Sequence, residues 1–180
     1  MTEAEVSLRL ALWLITSDRV NGDVSVAIDG AQVRTGTETH FQISEFLSQL
    51  GWRSETSEQW QGRYCRPNSK SRILVHSKSG VGDVVADLKD GHRLRVECKK
   101  GPVIPSSSSA EYPLLRSAIG HVVTFEEVDT RDVIAVAVPN SERFRTLASR
   151  WRNAPLLKKC GIRILLIDPE TGVTGFDEAS

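Results

Sequence analysis

The sequence lacks several features that would assign it to a familiar class of protein. Its three cysteines, Cys65, Cys98 and Cys160, are far apart and form no CxxC pair, which argues against a disulfide framework or a zinc knuckle. There is no HExxH or GxSxG pattern and no glycine-rich phosphate-binding loop. No apolar run approaches the roughly 20 residues of a membrane span, since Arg9 interrupts the stretch Leu8 to Ile15. Acidic residues, and not the basic start of a secretory signal, precede that stretch, so we expect a cytoplasmic protein with no membrane partner.

Net charge is also absent, because 23 lysines and arginines balance 23 aspartates and glutamates in 180 residues. This balance argues against a protein that coats nucleic acid nonspecifically. The charge is uneven along the chain, however. Residues 1–50 contain seven acids and three bases, residues 53–78 contain six bases and two acids, and residues 142–163 contain seven bases and one acid. A neutral total can therefore conceal a basic face that meets phosphates, although basic surface helices and loops are also common without such a role.

The pattern of elements predicts a single α/β domain with a mixed central sheet. The composition, 39% hydrophobic and 26% charged, is typical of a soluble globular protein long enough to bury one core. Antiparallel strand pairs in the middle of the chain are followed by alternating helices and strands, which favours a mixed sheet flanked by helices. The predicted helices are 3–17, 40–50, 110–126 and 141–151, and the predicted strands are 24–28, 31–34, 60–66, 72–77, 83–88, 92–99, 132–138 and 162–167.

Local signals set some of these boundaries. Asp29-Gly30 predicts a tight hairpin turn between the first two strands. Thr39 and Ser141 are predicted to cap the helices that follow them. Residues 101–109 are rich in proline and serine and have no periodicity, so they are predicted to form a loop.

The two strands that flank Asp90-Gly91 form a hairpin whose register follows from their alternation. A two-residue turn would mix polar and apolar side chains on each face, whereas a three-residue turn with a left-handed Gly91 separates them almost cleanly. The second register places Asp83 directly opposite Glu97. Lys99 follows two residues later and therefore lies on the same face. We therefore predict a face that carries two carboxylates and one ammonium group.

This arrangement has the groups needed for phosphodiester hydrolysis. Carboxylates on directly opposite residues, with Cβ atoms ~5 Å apart, repel each other unless a cation neutralises them. Mg²⁺ is typically held by one or two carboxylates together with phosphate oxygens and waters. An ammonium group beside the ion can hold a phosphate or orient an attacking water. The alternative interpretation is a solvent-facing hairpin of mixed charge, with Asp87 and Arg93 as a weak surface pair.

The residues Gly82-Asp83, followed by Glu97-Cys98-Lys99, resemble the signature of the PD-(D/E)XK nuclease superfamily. In this sequence Gly82 replaces the usual proline and Cys98 replaces the more usual aliphatic residue. The resemblance implies a restriction-endonuclease-like fold, a mixed central β-sheet flanked by helices with an αβββαβ core. That core would span residues 40–138 within a domain of residues 37–180. Residues 1–36 would form an N-terminal helix and hairpin extension.

The resemblance also implies a role for each matching residue. Asp83 and Glu97 would bind Mg²⁺, or Mn²⁺ in its place, through their side chains. Cys98 would offer its backbone carbonyl to the same ion. Lys99 would be the catalytic lysine.

Further site residues would come from the two core helices. Many members of the superfamily add a glutamate from the first core helix, for which Glu45 is the candidate and Glu38 a weaker one. A solvated helix face explains Glu45 equally well. In the helix that follows the lysine strand, Arg116 can approach a phosphate. His121 on the same helix can contact the metal ligands without binding the ion itself, although a lone histidine on an apolar helix is more often structural.

The function that these residues predict is metal-dependent endonucleolytic cleavage of DNA, with RNA not excluded. Specificity would then come from self-association as a homodimer or from a partner protein. The alternative is a catalytically silent module of the same fold that binds nucleic acid or a protein partner. The predicted nucleic-acid contacts are Arg63, Arg66, Lys70, Arg72, Lys100 and Arg116.

Overall fold

The computed structural model describes residues 1–56, 60–78, 80, 82–104, 110–170 and 172–177. The helices within these residues are α1 (Glu3–Thr16), α2 (Gly30–Val33), α3 (Ile43–Gln49), α4 (Glu111–Val122), α5 (Glu142–Arg152) and α6 (Pro155–Cys160). The strands are β1 (Val20–Ala27), β2 (Arg34–Thr35), β3 (Glu38–Thr39), β4 (Arg53–Ser54), β5 (Gly62–Cys65), β6 (Ile73–His76), β7 (Val84–Leu88), β8 (Arg93–Cys98), β9 (Asp132–Pro139), β10 (Arg163–Ile167) and β11 (Val173–Thr174).

Nine of the described strands form one mixed sheet in the order β11-β10-β9-β8-β7-β1-β6-β5-β4. The neighbours β8, β9 and β10 run parallel, as do β1 and β6, while the other neighbouring pairs are antiparallel. Strands β2 and β3 form a separate two-stranded sheet. The predicted α/β class with a mixed central sheet flanked by helices is confirmed.

Helices cover the sheet on both faces and bury two hydrophobic clusters. On one face α1 packs with fully buried leucines, among them Leu8 and Leu14, against Val96 and alternate residues of the neighbouring strands. On the other face α4 and α5 lie over β8, β9 and β10 and bury Leu115 and Phe144. Each of these large side chains contributes about 1.5–3 kcal/mol when it is removed from water.

The N-terminal residues belong to this sheet and core. β1 lies between β6 and β7, where it pairs in parallel with β6 and antiparallel with β7. α1 packs against β1 and reaches β7, β8, β9 and β10. Residues of the predicted N-terminal extension, 1–36, therefore form part of the central sheet and its hydrophobic core and are not a separate extension.

Two local predictions in the first 50 residues were wrong. Asp29-Gly30 does not turn a hairpin, because the Asp29 side chain accepts the Ala31 N–H at 3.0 Å and caps the short helix α2 where a strand was predicted. The following helix begins at Ile43, with Gln42 at its N-cap position. Thr39, the predicted cap, belongs to β3. Short polar side chains such as these can form a turn, cap a helix or lie in a strand, and in both places the sequence indicated the wrong one of these roles.

The register predicted for the β7–β8 hairpin is confirmed. Its turn has three residues, because the Leu88 N–H donates to the His92 carbonyl at 2.8 Å and Gly91 has a φ of +88°. The pairs are Val84 with Val96, Val85 with Arg95, Ala86 with Leu94, and Asp87 with Arg93.

The C-terminal part of the chain follows its predicted order of helices and strands. Ser141 caps α5 as predicted, since its Oγ accepts the Phe144 N–H at 3.2 Å. The short elements α6 and β11 were not predicted. Of the predicted loop 101–109, residues 105–109 lie outside the described residues.

Candidate metal centre

Asp83 and Glu97 lie across from each other on neighbouring strands. Asp83 immediately precedes β7, and Glu97 is the penultimate residue of β8. Since Val84 pairs with Val96 and side chains alternate along a strand, the two carboxylates share one face of the sheet. On the neighbouring strands this face is covered by α4 and α5. Val136, the β9 neighbour of Glu97, packs beneath these helices.

The Asp83 side chain takes part in the hydrogen bonding between the two strands. Its Oδ2 accepts the Cys98 N–H at 2.7 Å, while its own N–H donates to the Val96 carbonyl at 2.8 Å. Gly82 has a φ of +124°, and a Cβ atom there would lie 3.0 Å from the Val96 carbonyl oxygen. Proline cannot adopt that φ. The backbone before Asp83 therefore requires glycine where the family signature has proline.

Lys99 lies between two carboxylates. Its Nζ is 2.7 Å from Glu97 Oε1 and 3.4 Å from Glu3 Oε1. The side chains of Lys99 and Glu97 are only 12% and 10% exposed. Burial by itself would lower the pKa of Lys99, but the hydrogen bond and negative charge of Glu97 raise it. The lysine is therefore held in its charged form at neutral pH.

Glu3 is a member of this site that was not predicted. It lies in the first turn of α1, and its Oε1 also accepts a hydrogen bond from Gln32 Nε2 at 3.0 Å. Gln32 belongs to α2, so two helices outside the hairpin hold this carboxylate in place. A glutamate in the first turn of the first predicted helix was visible in the sequence. Only the pairing of β1 with β7 shows that this helix is the one next to the site.

Neither Glu45 nor the weaker candidate Glu38 is brought to this site. Glu45 lies on the exposed side of α3, where its carboxylate is 3.4 Å from Gln49 Nε2. Glu38 is exposed and lies 3.9 Å from His40. α3 packs against β4, the last strand at one edge of the sheet. The glutamate that the structure places beside Lys99 is therefore Glu3 and not Glu45.

Glu3, Asp83, Glu97 and Lys99 together form a group that we call the acidic cluster. It has three carboxylates and one ammonium group, which contacts Glu3 and Glu97. Burial, followed by the negative charge of Glu97, raises the pKa of Asp83 to about 7. Because burial is the larger cause and the neighbouring carboxylate adds to it, ionised Asp83 is unfavourable here unless a cation lies beside it, and a divalent cation would supply that charge.

The oxygen atoms of the acidic cluster fit Mg²⁺. One oxygen of each carboxylate is engaged: Asp83 Oδ2 by the Cys98 N–H, and Glu97 Oε1 and Glu3 Oε1 by Lys99. No described residue donates a hydrogen bond to the second oxygen of any of the three, and hard carboxylate oxygens are the ligands that Mg²⁺ prefers. Within the described ranges no three acidic, histidine or cysteine side chains are already gathered around a metal position.

Cys98 can contribute to such a site only through its backbone. Its side chain is fully buried in the hydrophobic cluster beneath α1, on the opposite face from Glu97. Burial, and then the charge of Asp83, raises the pKa of its thiol. A neutral thiol on the far face is no metal ligand, which leaves the carbonyl that the resemblance implies.

His121 reaches the acidic cluster from α4. Its Nδ1 lies 2.6 Å from Glu97 Oε1, and its ring is 58% exposed. Because an ionised carboxylate only accepts hydrogen bonds, Nδ1 carries the proton in this contact. Arg116 on the same helix instead lies over the Tyr112 ring, 6.0 Å from its centroid.

The predicted nucleic-acid contacts do not form one group. Arg72 is paired with Glu55 at 2.8 Å, so its charge is already balanced. The exposed bases Arg63, Arg66 and Lys70 belong to the β5–β6 hairpin, three strands away from β8 and without an ion pair to any acid of the described residues. Lys100 is exposed and follows Lys99 directly, which brings it nearest to the acidic cluster along the chain.

Two adjoining surface depressions meet at Glu97. The first is lined by Lys78, Gly82, Asp83 and Glu97, together with residues at the end of β1. The second is lined by Glu97, His121 and residues of the segment that connects α4 to β9. Gly80 lines both. An extended ligand can therefore reach Asp83 and Glu97 from solvent on either side.

Comparison with protein-family models, with curated proteins and with solved structures finds no match to this chain. No described helix combines the length and the apolar character needed to cross a membrane.

Proposed function

We propose that this protein is a metal-dependent endonuclease that hydrolyses DNA phosphodiester bonds and has a restriction-endonuclease-like fold. The observation that carries the proposal is the acidic cluster, in which Asp83 and Glu97 on neighbouring strands and Glu3 on α1 surround one ammonium group, which contacts Glu3 and Glu97. The fold supports it, because α1, β1, β7, β8, α4 and β9 follow the order helix, three strands, helix, strand. β9 lies parallel beside β8, and residues 28–82 are an insertion between the first two of these strands.

Asp83, Glu97 and the Cys98 carbonyl would hold Mg²⁺, or Mn²⁺ in its place. The bound ion would neutralise the carboxylates, polarise the phosphodiester and lower the pKa of a bound water. Glu3 completes the acidic environment on the other side of Lys99. The protein thus supplies oxygen ligands of the type that Mg²⁺ takes in phosphoryl-transfer sites.

Lys99 supplies the fixed positive charge. Hydrolysis breaks one P–O bond while water adds to phosphorus, and negative charge accumulates on the phosphoryl oxygens in the transition state. An ammonium group already positioned at the site stabilises that charge more than it stabilises the substrate. Glu3 and Glu97 hold the ammonium in place from two sides, and the raised pKa of Lys99 keeps it protonated.

The substrate would reach the acidic cluster through the two depressions. Lys78 lines one of them and Lys100 follows the catalytic lysine, so both can contact phosphates on either side of the cleaved bond. Arg63, Arg66, Lys70 and Arg116 remain proposed contacts further from the cleaved bond. Self-association or a partner protein would supply the remaining specificity.

The test is cleavage by the purified protein under defined metal conditions. Supercoiled plasmid, linear duplex, branched DNA, single-stranded DNA and RNA are each incubated with Mg²⁺, Mn²⁺ or EDTA. We expect metal-dependent nicking or cutting that falls at least about a thousandfold in Asp83→Ala and in Lys99→Ala, the loss typical of removing a principal catalytic group. Lys89→Ala is the matched control, since Lys89 lies in the same hairpin and pairs with Asp18 at the surface.

Cleavage that persists in both variants would place the chemistry elsewhere. Salt-sensitive binding of nucleic acid without cleavage under any metal condition would favour the silent binding module. The position of Lys99 is compatible with that alternative, because its ammonium group already neutralises part of the negative charge of the acidic cluster without a metal ion.

A further inference from the structure

His121 makes a contact that the core of the protein does not need. α4 packs on the sheet through Leu115, Ala118 and Val122, whereas the ring of His121 is 58% exposed. The contact of its side chain is the hydrogen bond from Nδ1 to Glu97 Oε1 at 2.6 Å.

His76 provides a contrast within the same sheet. Its Nε2 lies 2.7 Å from Ser25 Oγ, and its Nδ1 accepts the Lys78 N–H at 3.3 Å. Both ring nitrogens of His76 are therefore used between adjacent parts of the sheet, as in an ordinary structural histidine. His121 uses one nitrogen, and its partner is a carboxylate of the acidic cluster.

The hydrogen bond of His121 defines which oxygen of Glu97 is available. Oε1 accepts from both Lys99 Nζ at 2.7 Å and His121 Nδ1 at 2.6 Å. Two donors on one oxygen fix the rotation of the carboxylate and leave Oε2 as the oxygen to which no described residue donates. α4 packs on β8 and β9, so the donor is carried by a rigid element.

The same arrangement recurs on the other side of Lys99. Glu3 Oε1 accepts from Lys99 at 3.4 Å and from Gln32 Nε2 at 3.0 Å. Each carboxylate that flanks the lysine is thus held by a second donor from a separate helix. This repetition indicates an organised shell around the acidic cluster and not an isolated surface contact.

We propose that His121 is a positioning residue that orients Glu97 for binding a divalent cation. This inference rests on the proposed function, because it assigns a role within the same site. Donors behind metal-binding carboxylates set their direction, and their removal typically reduces metal affinity or activity by about 10–100-fold.

Three substitutions at this position separate orientation from other effects. His121→Asn keeps an amide nitrogen attached at Cγ, where Nδ1 stands, so it can still donate to Glu97. His121→Gln places its amide where Nε2 stands, and His121→Ala removes the donor. His92→Asn is the matched control, because His92 is also exposed and lies 3.2 Å from a carboxylate, that of Asp90, at the far end of the hairpin.

The readout is the affinity for Mn²⁺ alone, measured by calorimetric titration and by the electron paramagnetic resonance signal of the free ion. Relative to the unsubstituted protein, we expect His121→Ala and His121→Gln to bind Mn²⁺ about tenfold more weakly or worse, and His121→Asn and His92→Asn to stay within about threefold. All variants are expected to unfold at the same temperature in EDTA, since the ring is mostly exposed.

The outcomes distinguish this inference from the proposed function. If the unsubstituted protein binds Mn²⁺ and His121→Ala binds it equally well, His121 does not position Glu97 and the nuclease proposal stands. A defect in His121→Asn as large as that in His121→Ala would also overturn the positioning role. If the unsubstituted protein itself binds no divalent cation, the proposed function fails and the inference fails with it.

Discussion

Two charged sites lie two residues apart on the same face of β8, and they are built in opposite ways. Arg95 is balanced one for one: its Nε lies 3.2 Å from Asp132 Oδ2, and its Nη1 donates to the Glu127 carbonyl at 2.8 Å. Glu97 belongs to the acidic cluster, where three carboxylates share Lys99. The two sites are similarly buried, since Arg95 is 9% and Glu97 is 10% exposed at the side chain.

Under the proposed function, the difference separates a structural from a functional use of buried charge. A balanced pair ties two elements together, and here Arg95 fastens the segment between α4 and β9 to the sheet. A surplus of one sign destabilises the folded chain, and a protein keeps it where a ligand of the opposite sign completes the site. Each substitution below changes one of these two sites and leaves the other intact.

The largest effect is expected from breaking the balanced pair. Asp132→Ala leaves Arg95 buried without its carboxylate partner, which typically costs about 3–5 kcal/mol of the free energy of unfolding. Urea denaturation followed by circular dichroism measures this loss. The double substitution Arg95→Met with Asp132→Leu is expected to recover most of it, because no uncompensated charge remains. A loss below about 1 kcal/mol in Asp132→Ala would show that the pair is solvated and would remove the contrast with the acidic cluster.

Local patterns allowed the hairpin to be predicted from the sequence. Its two strands are joined by a three-residue turn, so alternation on each strand constrains the other, and one slip would move every side chain to the opposite face. The pairing of Val84 with Val96 followed from that constraint. The geometry before Asp83 did not, because φ at Gly82 depends on contact with the backbone of Val96.

The first part of the chain was predicted poorly because the strands with which it pairs are distant in the sequence. β1 pairs with β6 about 50 residues further along and with β7 about 60 residues further along. No local signal distinguishes such an interior strand from a hairpin strand, and Asp29-Gly30 suggested the wrong one. Because the position of β1 in the sheet was not foreseen, the sequence favoured the helix at 40–50 and its Glu45, whereas the structure places Glu3 of α1 beside Lys99.

A stabilising effect is expected from reducing the surplus charge. Asp83→Asn keeps an oxygen that can accept the Cys98 N–H and removes a carboxylate whose pKa is raised to about 7. A raised pKa means that the folded protein binds this proton more tightly than the unfolded chain, so stability falls as pH rises from about 4 to 7 and is then constant. At pH 8 in EDTA we expect the variant to be more stable by roughly 2–4 kcal/mol, with a smaller gain at pH 5.

The control for this gain is Asp87→Asn in the same strand. Asp87 is exposed and pairs with Arg93 at 3.0 Å, so its substitution should change the free energy of unfolding by less than about 0.5 kcal/mol at both pH values. Equal effects of the two substitutions, or destabilisation by Asp83→Asn at pH 8, would mean that the acidic cluster carries no surplus charge.

A divalent cation should stabilise the unsubstituted protein more at high pH than at low pH. Protonated Asp83 must lose its proton before it binds the ion, so affinity should fall up to about tenfold for each pH unit below 7. At a concentration ten times the dissociation constant measured at pH 8, the gain in the free energy of unfolding is about 1.4 kcal/mol. Unfolding with and without Mg²⁺ at pH 8 and pH 6 measures this, and a gain independent of pH would place the ion away from Asp83.

The smallest effect tests which helix, α1 with Glu3 or α3 with Glu45, contributes a glutamate to the proposed metal site. Glu3→Gln keeps the size of the side chain and its contact with Gln32 but removes one negative charge beside Lys99. We expect Mn²⁺ affinity to fall about threefold to tenfold, or about 1 kcal/mol, since the charge is close to the site without being its principal ligand. Glu45→Gln on α3 should leave the affinity unchanged. If Glu45→Gln weakened Mn²⁺ binding and Glu3→Gln did not, the helix at 40–50 would be the one that contributes to the site. The contact between Glu3 and Lys99 would then be an ordinary ion pair, as balanced as that of Arg95 with Asp132.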